Sequence, residues 1–145
     1  MLAILERSNA WRLEQARTIG GSTAAAALNL SPWMTRRRLY EQMVAALMGT
    51  APEPLPLTDD LRRGLLFEPT ARDLLEEVLR ASLQPHDQNR FCRRDDMPWA
   101  HALPDGIIPS TGAIYELKVP RPGTVARYCL EGLPPHYFIQ AQHNM

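Results

Sequence analysis

The amino-acid sequence predicts a mixed α/β (α+β) fold in which helices come first and strands follow. The length of 145 residues and the 45% apolar composition suit one globular domain with a single core. Apolar residues recur at helical spacing through the first half of the chain. From Trp99 onward they alternate at the period of two that is typical of strands. We therefore predict a single domain over residues 1–145.

The first two predicted helices are separated from their neighbours by glycine and proline. After two glycines, residues 22–27 predict a helix that Ser22 or Thr23 caps. A second helix is predicted over residues 35–47. The proline-rich segment 51–57 is predicted to be a connecting loop.

A third helical pattern begins at Thr58 and contains an acid at an unusual position. Glu68 lies in the middle of a leucine stripe that consists of Leu61, Leu65, Leu75 and Leu79. Pro69 either kinks one long helix or occupies the first turn of a second helix. In both cases Glu68 lies beside leucines, which is unfavourable unless a charged partner meets it.

Two strands further along predict a hairpin with charged residues at one end. Ile107-Ile108 and the alternating residues 113–119 are its strands. The period of two places Glu116 and Lys118 on the same side, and Asp105 precedes the first strand. Carboxylates this close repel each other unless a cation lies between them, and hard oxygen ligands suit Mg²⁺ or Mn²⁺.

The rest of the chain gives weaker patterns. We predict a polar start from residue 8, an irregular stretch over residues 83–98 and a strand over residues 99–103. A loop is predicted after Pro120, and residues 134–145 read as the beginning of a helix or a strand.

Lys118 is the only lysine, because fifteen of the sixteen basic residues are arginine. A lysine can change its protonation state when it is buried or paired, whereas arginine stays charged. Lys118 can therefore orient or deprotonate an attacking water, or stabilise charge on a phosphate. Each piece also has a structural interpretation, because Asp-Gly is a common turn pair and Glu-x-Lys is commonly a surface ion pair.

Composition excludes several classes of protein. The formal net charge is zero, so nucleic-acid binding would depend on local arginine patches, which also suit solvated faces. The two cysteines have no CxxC spacing and the four histidines share no metal-ligand spacing. The start meets Glu6 too early for a signal peptide, and no apolar run reaches membrane-spanning length. We expect a soluble, cytoplasmic protein.

Four segments together resemble one nuclease family. Pro-Asp followed about ten residues later by Glu-x-Lys resembles the PD-(D/E)xK nucleases. The flanking segments resemble motifs of the YqaJ-type viral recombinases, the family that includes lambda exonuclease; they read IGGSTAAAALNLSPWMT, GLLFEPTAR and PPHYFIQAQHNM.

The resemblance implies roles for individual residues. The metal-binding carboxylates would be Asp105 and Glu116, with the backbone carbonyl of Leu117 completing the shell. Lys118 would be the catalytic lysine, and Glu68 would help to hold water at the metal. Residues implied at the DNA or beside the active site are Gln140, Tyr137, Ser22 and Arg17. For Ser22, a plain helix cap is the alternative.

The resemblance also implies a fold and a biological context. The fold would be a restriction-endonuclease-like core, a mixed sheet flanked by helices, here lacking the C-terminal elements of the family. Lambda-type members degrade one strand of duplex DNA from the 5′ end with Mg²⁺, act with a strand-annealing partner in phage recombination, and in some cases form rings. Two alternatives remain: a catalytically inactive remnant that binds DNA or a recombination partner, and an endonuclease of the same superfamily.

Overall fold

The computed structural model describes residues 7–145. Residues 1–6, on which the expected absence of a signal peptide depends, lie outside the described residues. The chain divides into two compact units. Unit one comprises Met1–Leu55, of which residues 7–55 are described, with Asn89–Leu103 and Pro135–Met145; unit two comprises Pro56–Gln88 and Pro104–Pro134.

Unit one consists of four helices around a core of small side chains. The helices are α1 (Asn9–Ala16), α2 (Gly21–Ala27), α3 (Arg36–Leu47) and α6 (Pro135–Asn144). Buried alanines of α2 allow the close approach of α6, and a Cβ on Gly21 would collide with the side chain of Asn144. The predicted helix over residues 35–47 is confirmed, with the Thr35 side chain capping its first turn.

Unit two combines two helices with a small antiparallel sheet. The helices are α4 (Asp59–Leu79) and α5 (Pro122–Glu131), and the strands are β1 (Gln84–Pro85), β2 (Gly106–Ile108) and β3 (Ala113–Tyr115). The strand order is β1-β2-β3, and both pairings are antiparallel. The predicted hairpin is thus confirmed, and so is the mixed α/β class of the described chain.

Helix α4 resolves the alternatives that Pro69 left open. It is one helix of 21 residues with Pro69 inside it, and the Thr58 side chain accepts a hydrogen bond from the Leu61 N–H at its start. Proline lacks an N–H, so the carbonyl one turn earlier loses its intrahelical partner. The helix continues nevertheless, and Glu68 and the residues after it keep helical spacing.

Two helices lie where the sequence predicted irregular structure. Helix α1 replaces the predicted polar start, and the Ser8 side chain accepts a hydrogen bond from the Trp11 N–H as its cap. Helix α5 replaces the predicted loop after Pro120, with Pro122 in its first turn. Proline suits that position because the first N–H groups of a helix have no intrahelical partner.

Three local predictions are wrong. The cap of α2 is Gly20, whose N–H donates to the Thr23 hydroxyl at 3.0 Å, so Ser22 lies inside the helix. Residues 99–103 form only isolated bridges, since their N–H groups meet single partners instead of a ladder. Strand β3 ends at Tyr115, because the Leu117 N–H donates to the Asp105 side chain instead of continuing the ladder.

Over residues 7–145, no helix combines the length and the apolar composition that crossing a bilayer requires.

Candidate active site

The hairpin of unit two brings its charged residues to one end. Gly106 pairs with Tyr115 across the two strands, so Asp105 and Glu116 occupy the next positions along them. The turn between the strands ends at Gly112, whose φ of 71° suits glycine. Asp105 Oδ2 accepts a hydrogen bond from the Leu117 N–H at 2.6 Å. This bond fixes the carboxylate against the backbone that follows β3.

Glu116 and Lys118 form an ion pair beside that carboxylate. Lys118 Nζ lies 2.5 Å from Glu116 Oε1. The Glu116 side chain is 14% exposed and the Lys118 side chain 36% exposed, so the pair is more sheltered than an ordinary surface ion pair. The prediction that carboxylate and ammonium are neighbours is confirmed, although both residues follow strand β3 and are not part of it.

Glu68 meets a charged partner on its own helix. Arg72 Nη2 lies 3.1 Å from Glu68 Oε1, with the two residues one helical turn apart. The Glu68 side chain is 38% exposed and the Arg72 side chain 25% exposed. This pair accounts for an acid that the sequence places among leucines.

Arg72 also acts on two residues of the hairpin. Burial raises the pKa of the Asp105 carboxyl, and the Leu117 N–H, Lys118 and Arg72 lower that pKa in part. Burial also raises the pKa of the Tyr115 phenol, and the Arg72 cation opposes that rise. The charges of α4 and of the hairpin therefore lie close enough to influence one another within unit two.

The carboxylates of Asp105 and Glu116 fit a hard divalent cation. Among residues 7–145, no three His, Cys, Asp or Glu side chains are grouped closely enough to hold a metal ion by themselves. Mg²⁺ nevertheless commonly binds through one or two carboxylates and takes its remaining oxygens from water and substrate phosphate. A half-buried carboxylate whose pKa is raised by burial also gains from a nearby cation. The donor set therefore suits Mg²⁺ or Mn²⁺.

The other predicted site residues belong to unit one. Gln140 and Tyr137 lie one turn apart on α6, and Ser22 lies exposed on α2. Arg17 caps the end of α1, and its Nε donates to the backbone carbonyl of Ala46 at 3.3 Å. Their proposed roles at the DNA stay predictions.

The sequence motifs gave no role to Arg72, which ends the segment GLLFEPTAR, or to Tyr115. Arg72 follows Glu68 by four residues, a spacing that brings side chains together on a helix and that could have revealed the pair. Tyr115 falls on the buried face of the alternating segment, but nothing in the sequence indicates that its hydroxyl faces a guanidinium.

Comparisons with known proteins identify the family of the chain. The model of the YqaJ-like viral recombinase domain family matches residues 10–145, so the chain belongs to that family. A comparison with the curated protein sequences gave no match.

Two crystal structures share the fold. One is an alkaline exonuclease (LHK-Exo) from Laribacter hongkongensis, with 22% sequence identity and a TM-score of 0.72. The other is LHK-Exo in complex with dAMP, with 20% identity and a TM-score of 0.75. Each match covers 95% of this chain and 67% of the other chain.

Proposed function

We propose that this chain is a metal-dependent DNA exonuclease that hydrolyses phosphodiester bonds in linear duplex DNA, from 5′ to 3′. The observation that carries the proposal is the end of the hairpin, where Asp105 and Glu116 lie beside the only lysine of the chain. Membership of the YqaJ-like family and the fold of an alkaline exonuclease support the reaction class. The polarity follows the lambda-type members that the sequence resembles.

The metal site would use the hairpin carboxylates. Asp105, Glu116 and the backbone carbonyl of Leu117 would hold Mg²⁺ or Mn²⁺. A bound ion of this kind polarises a phosphoryl oxygen and lowers the pKa of water. The hydrogen bond from the Leu117 N–H keeps the Asp105 carboxylate oriented before any ion binds.

Lys118 and Glu68 would act on the reacting groups. The Lys118 ammonium would stabilise the charge that develops on the phosphate or, when deprotonated, take a proton from the attacking water. Its ion pair with Glu116 holds the ammonium beside the carboxylate in the resting protein. Glu68 would accept a hydrogen bond from water and so orient it.

Residues of unit one would contact the DNA. As the resemblance implies, Ser22, Arg17 and Tyr137 would bind the DNA, and Gln140 would assist catalysis. The biological setting would be phage or prophage recombination in the cytoplasm of a bacterial host. There the exonuclease would work with a strand-annealing protein, and it could assemble as a homo-oligomer.

The test is release of nucleotides from linear 5′-phosphorylated duplex with Mg²⁺. We expect release that stops with EDTA and that falls by roughly 10²–10⁴-fold in Lys118→Ala and Glu116→Gln. The matched control is Glu77→Gln, the same isosteric change at an exposed position on α4. Labels at the 5′ and 3′ ends give the polarity. Release that persists in EDTA or in Glu116→Gln would contradict the proposal.

A DNA-binding domain without catalysis is the second candidate. The ion pair between Glu116 and Lys118 favours it, because it engages one of the two proposed metal-binding carboxylates. A folded sample that binds duplex DNA without releasing nucleotides, with either Mg²⁺ or Mn²⁺, would support this candidate instead.

A further inference from the structure

Arg72 lies between the two elements that carry the proposed active site of unit two. One of its terminal nitrogens pairs with Glu68 on α4. The same guanidinium influences Asp105 and Tyr115 on the hairpin, so its charge acts on both elements. Arg72 is the last residue of the segment GLLFEPTAR, but the proposed function gives it no role.

The surroundings of Arg72 are buried and polar. The Arg72 Nε and the Tyr115 hydroxyl are both buried, and neither makes a hydrogen bond of normal geometry with a described residue. Tyr115 is 6% exposed. Buried polar groups are costly to leave incompletely satisfied, so their retention calls for a reason other than stability.

Gly106 makes room for this arrangement. A Cβ at position 106 would collide with the Tyr115 hydroxyl and with the backbone carbonyl of Gln84. The ring of Tyr115 therefore packs directly against the backbone of β2. This packing leaves the hydroxyl end of the ring beside Arg72 and only one residue away from Asp105 along β2.

We propose that Arg72 is a positioning residue for the active site. It holds the Glu68 carboxylate in place against the hairpin and supplies a fixed cation behind the acids, while taking no part in the bond-breaking step. The inference rests on the proposed function, since it assigns Arg72 a role in orienting Glu68 toward water. Its positive charge repels a metal cation, so Arg72 serves to orient Glu68 and does not raise metal affinity.

This role predicts that loss of Arg72 lowers nucleotide release without weakening metal binding. In Arg72→Met the Glu68 carboxylate loses its tether, and we expect nucleotide release to fall roughly 10- to 100-fold, as when partners behind metal ligands are removed. Mn²⁺ binding to the metal-free protein, followed by calorimetry or by the Mn²⁺ resonance signal, should be unchanged or tighter, because a nearby positive charge is gone. A residue that merely stabilises the fold would weaken both.

Glu68 supplies the decisive comparison. If Arg72 acts through Glu68, Arg72→Met should cost little further activity in a Glu68→Gln background, so the two changes are not additive. Arg72→Lys keeps the charge and one hydrogen bond and should restore part of the activity. The matched control is Arg80→Met, at an exposed position just beyond α4, which should change neither measurement.

The outcomes separate this inference from the proposed function. Additive losses in the double variant, or weaker Mn²⁺ binding in Arg72→Met with an unchanged melting temperature, would overturn the role of Arg72. A wild-type protein that binds Mn²⁺ but releases no nucleotides would overturn the proposed function. The positioning role of Arg72, which rests on that function, would be overturned with it. If Arg72→Met is too unstable to study, Arg72→Lys in the two Glu68 backgrounds gives the same test of additivity.

Discussion

The two compact units of this chain bury ionisable groups in opposite ways. Unit one buries His101, which is 4% exposed and whose pKa is lowered to about 4, so the imidazole is neutral at physiological pH. Unit two places the acids Asp105 and Glu116 and the guanidinium of Arg72 in sheltered positions, each near a group of opposite charge. A neutral buried group costs little, whereas sheltered charges require partners. The neutral histidine of unit one therefore suits stable packing, and the sheltered charges of unit two suit chemistry.

The surroundings of His101 explain its neutral state. Burial is the largest cause of its lowered pKa, the charges of Arg93 and His143 add to it, and Glu14 opposes them. The Thr18 hydroxyl lies 2.7 Å from His101 Nδ1, and the ring of Phe91 meets the imidazole edge to face.

The largest expected effect is a loss of stability in acid that depends on His101. The pKa of His101 is about 6.5 in the unfolded chain and about 4 in the folded chain. Stability is therefore fully present above about pH 6.5 and is lost as the pH falls toward 4. The loss is on the order of 3 kcal/mol, since each pH unit is worth about 1.4 kcal/mol.

The measurement is the free energy of unfolding between pH 4 and pH 7. In His101→Gln the pH dependence should flatten, even if the variant is less stable overall because its packing changes. Other groups also titrate in this range, so the wild-type curve minus the variant curve isolates the histidine. Parallel curves for the two proteins would show that His101 is not the group responsible.

A second effect tests the packing behind the charges of unit two. Gly106→Ala places a methyl group against the Gln84 carbonyl and the Tyr115 ring, and backbone cannot rotate away. We expect a loss of about 1–3 kcal/mol, as for overpacked cores. Gly64→Ala is the control within α4, because a Cβ there meets nothing within 4 Å. That control should raise stability by about 0.5–1 kcal/mol through helix propensity. Equal effects at the two glycines would contradict the close packing of Tyr115 on β2.

The smallest expected effect is the loss of stability that the Asp105 carboxylate causes in the folded protein. Burial raises the folded-state pKa of Asp105 above its ordinary value, so the charged form is disfavoured at neutral pH. Asp105→Asn removes that charge and can still accept the Leu117 hydrogen bond. It should raise the melting temperature of the EDTA-treated protein slightly at pH 7, because Lys118 and Arg72 already offset part of the cost.

The pH dependence gives this prediction its control. The wild-type protein gains stability from this group as the pH falls through the raised pKa of Asp105, so the advantage of the variant should shrink in acid. A melting temperature for Asp105→Asn below that of the wild type at pH 7 would show that the carboxylate stabilises the fold.

Much of the helical structure could be predicted from local sequence. Thr35 and Thr58 predict the starts of their helices, because a cap acts within one helical turn. The hairpin was also predictable, since the alternation and the turn ending at Gly112 are local signals. Helix α1 was missed because its polar residues outweighed the Ser8 cap, and α5 was missed because it has no side-chain cap and Pro122 was interpreted as part of a loop.

Local sequence was enough to predict the spacing of Asp105, Glu116 and Lys118, because a hairpin with a short turn leaves one register that pairs its strands. It also determined the family, through motifs that span most of the chain. It was the packing of α4 beside the hairpin that brought Arg72 near Asp105 and the buried Tyr115. Such contacts join residues far apart in sequence and depend on how a helix packs beside a sheet, which no local pattern specifies.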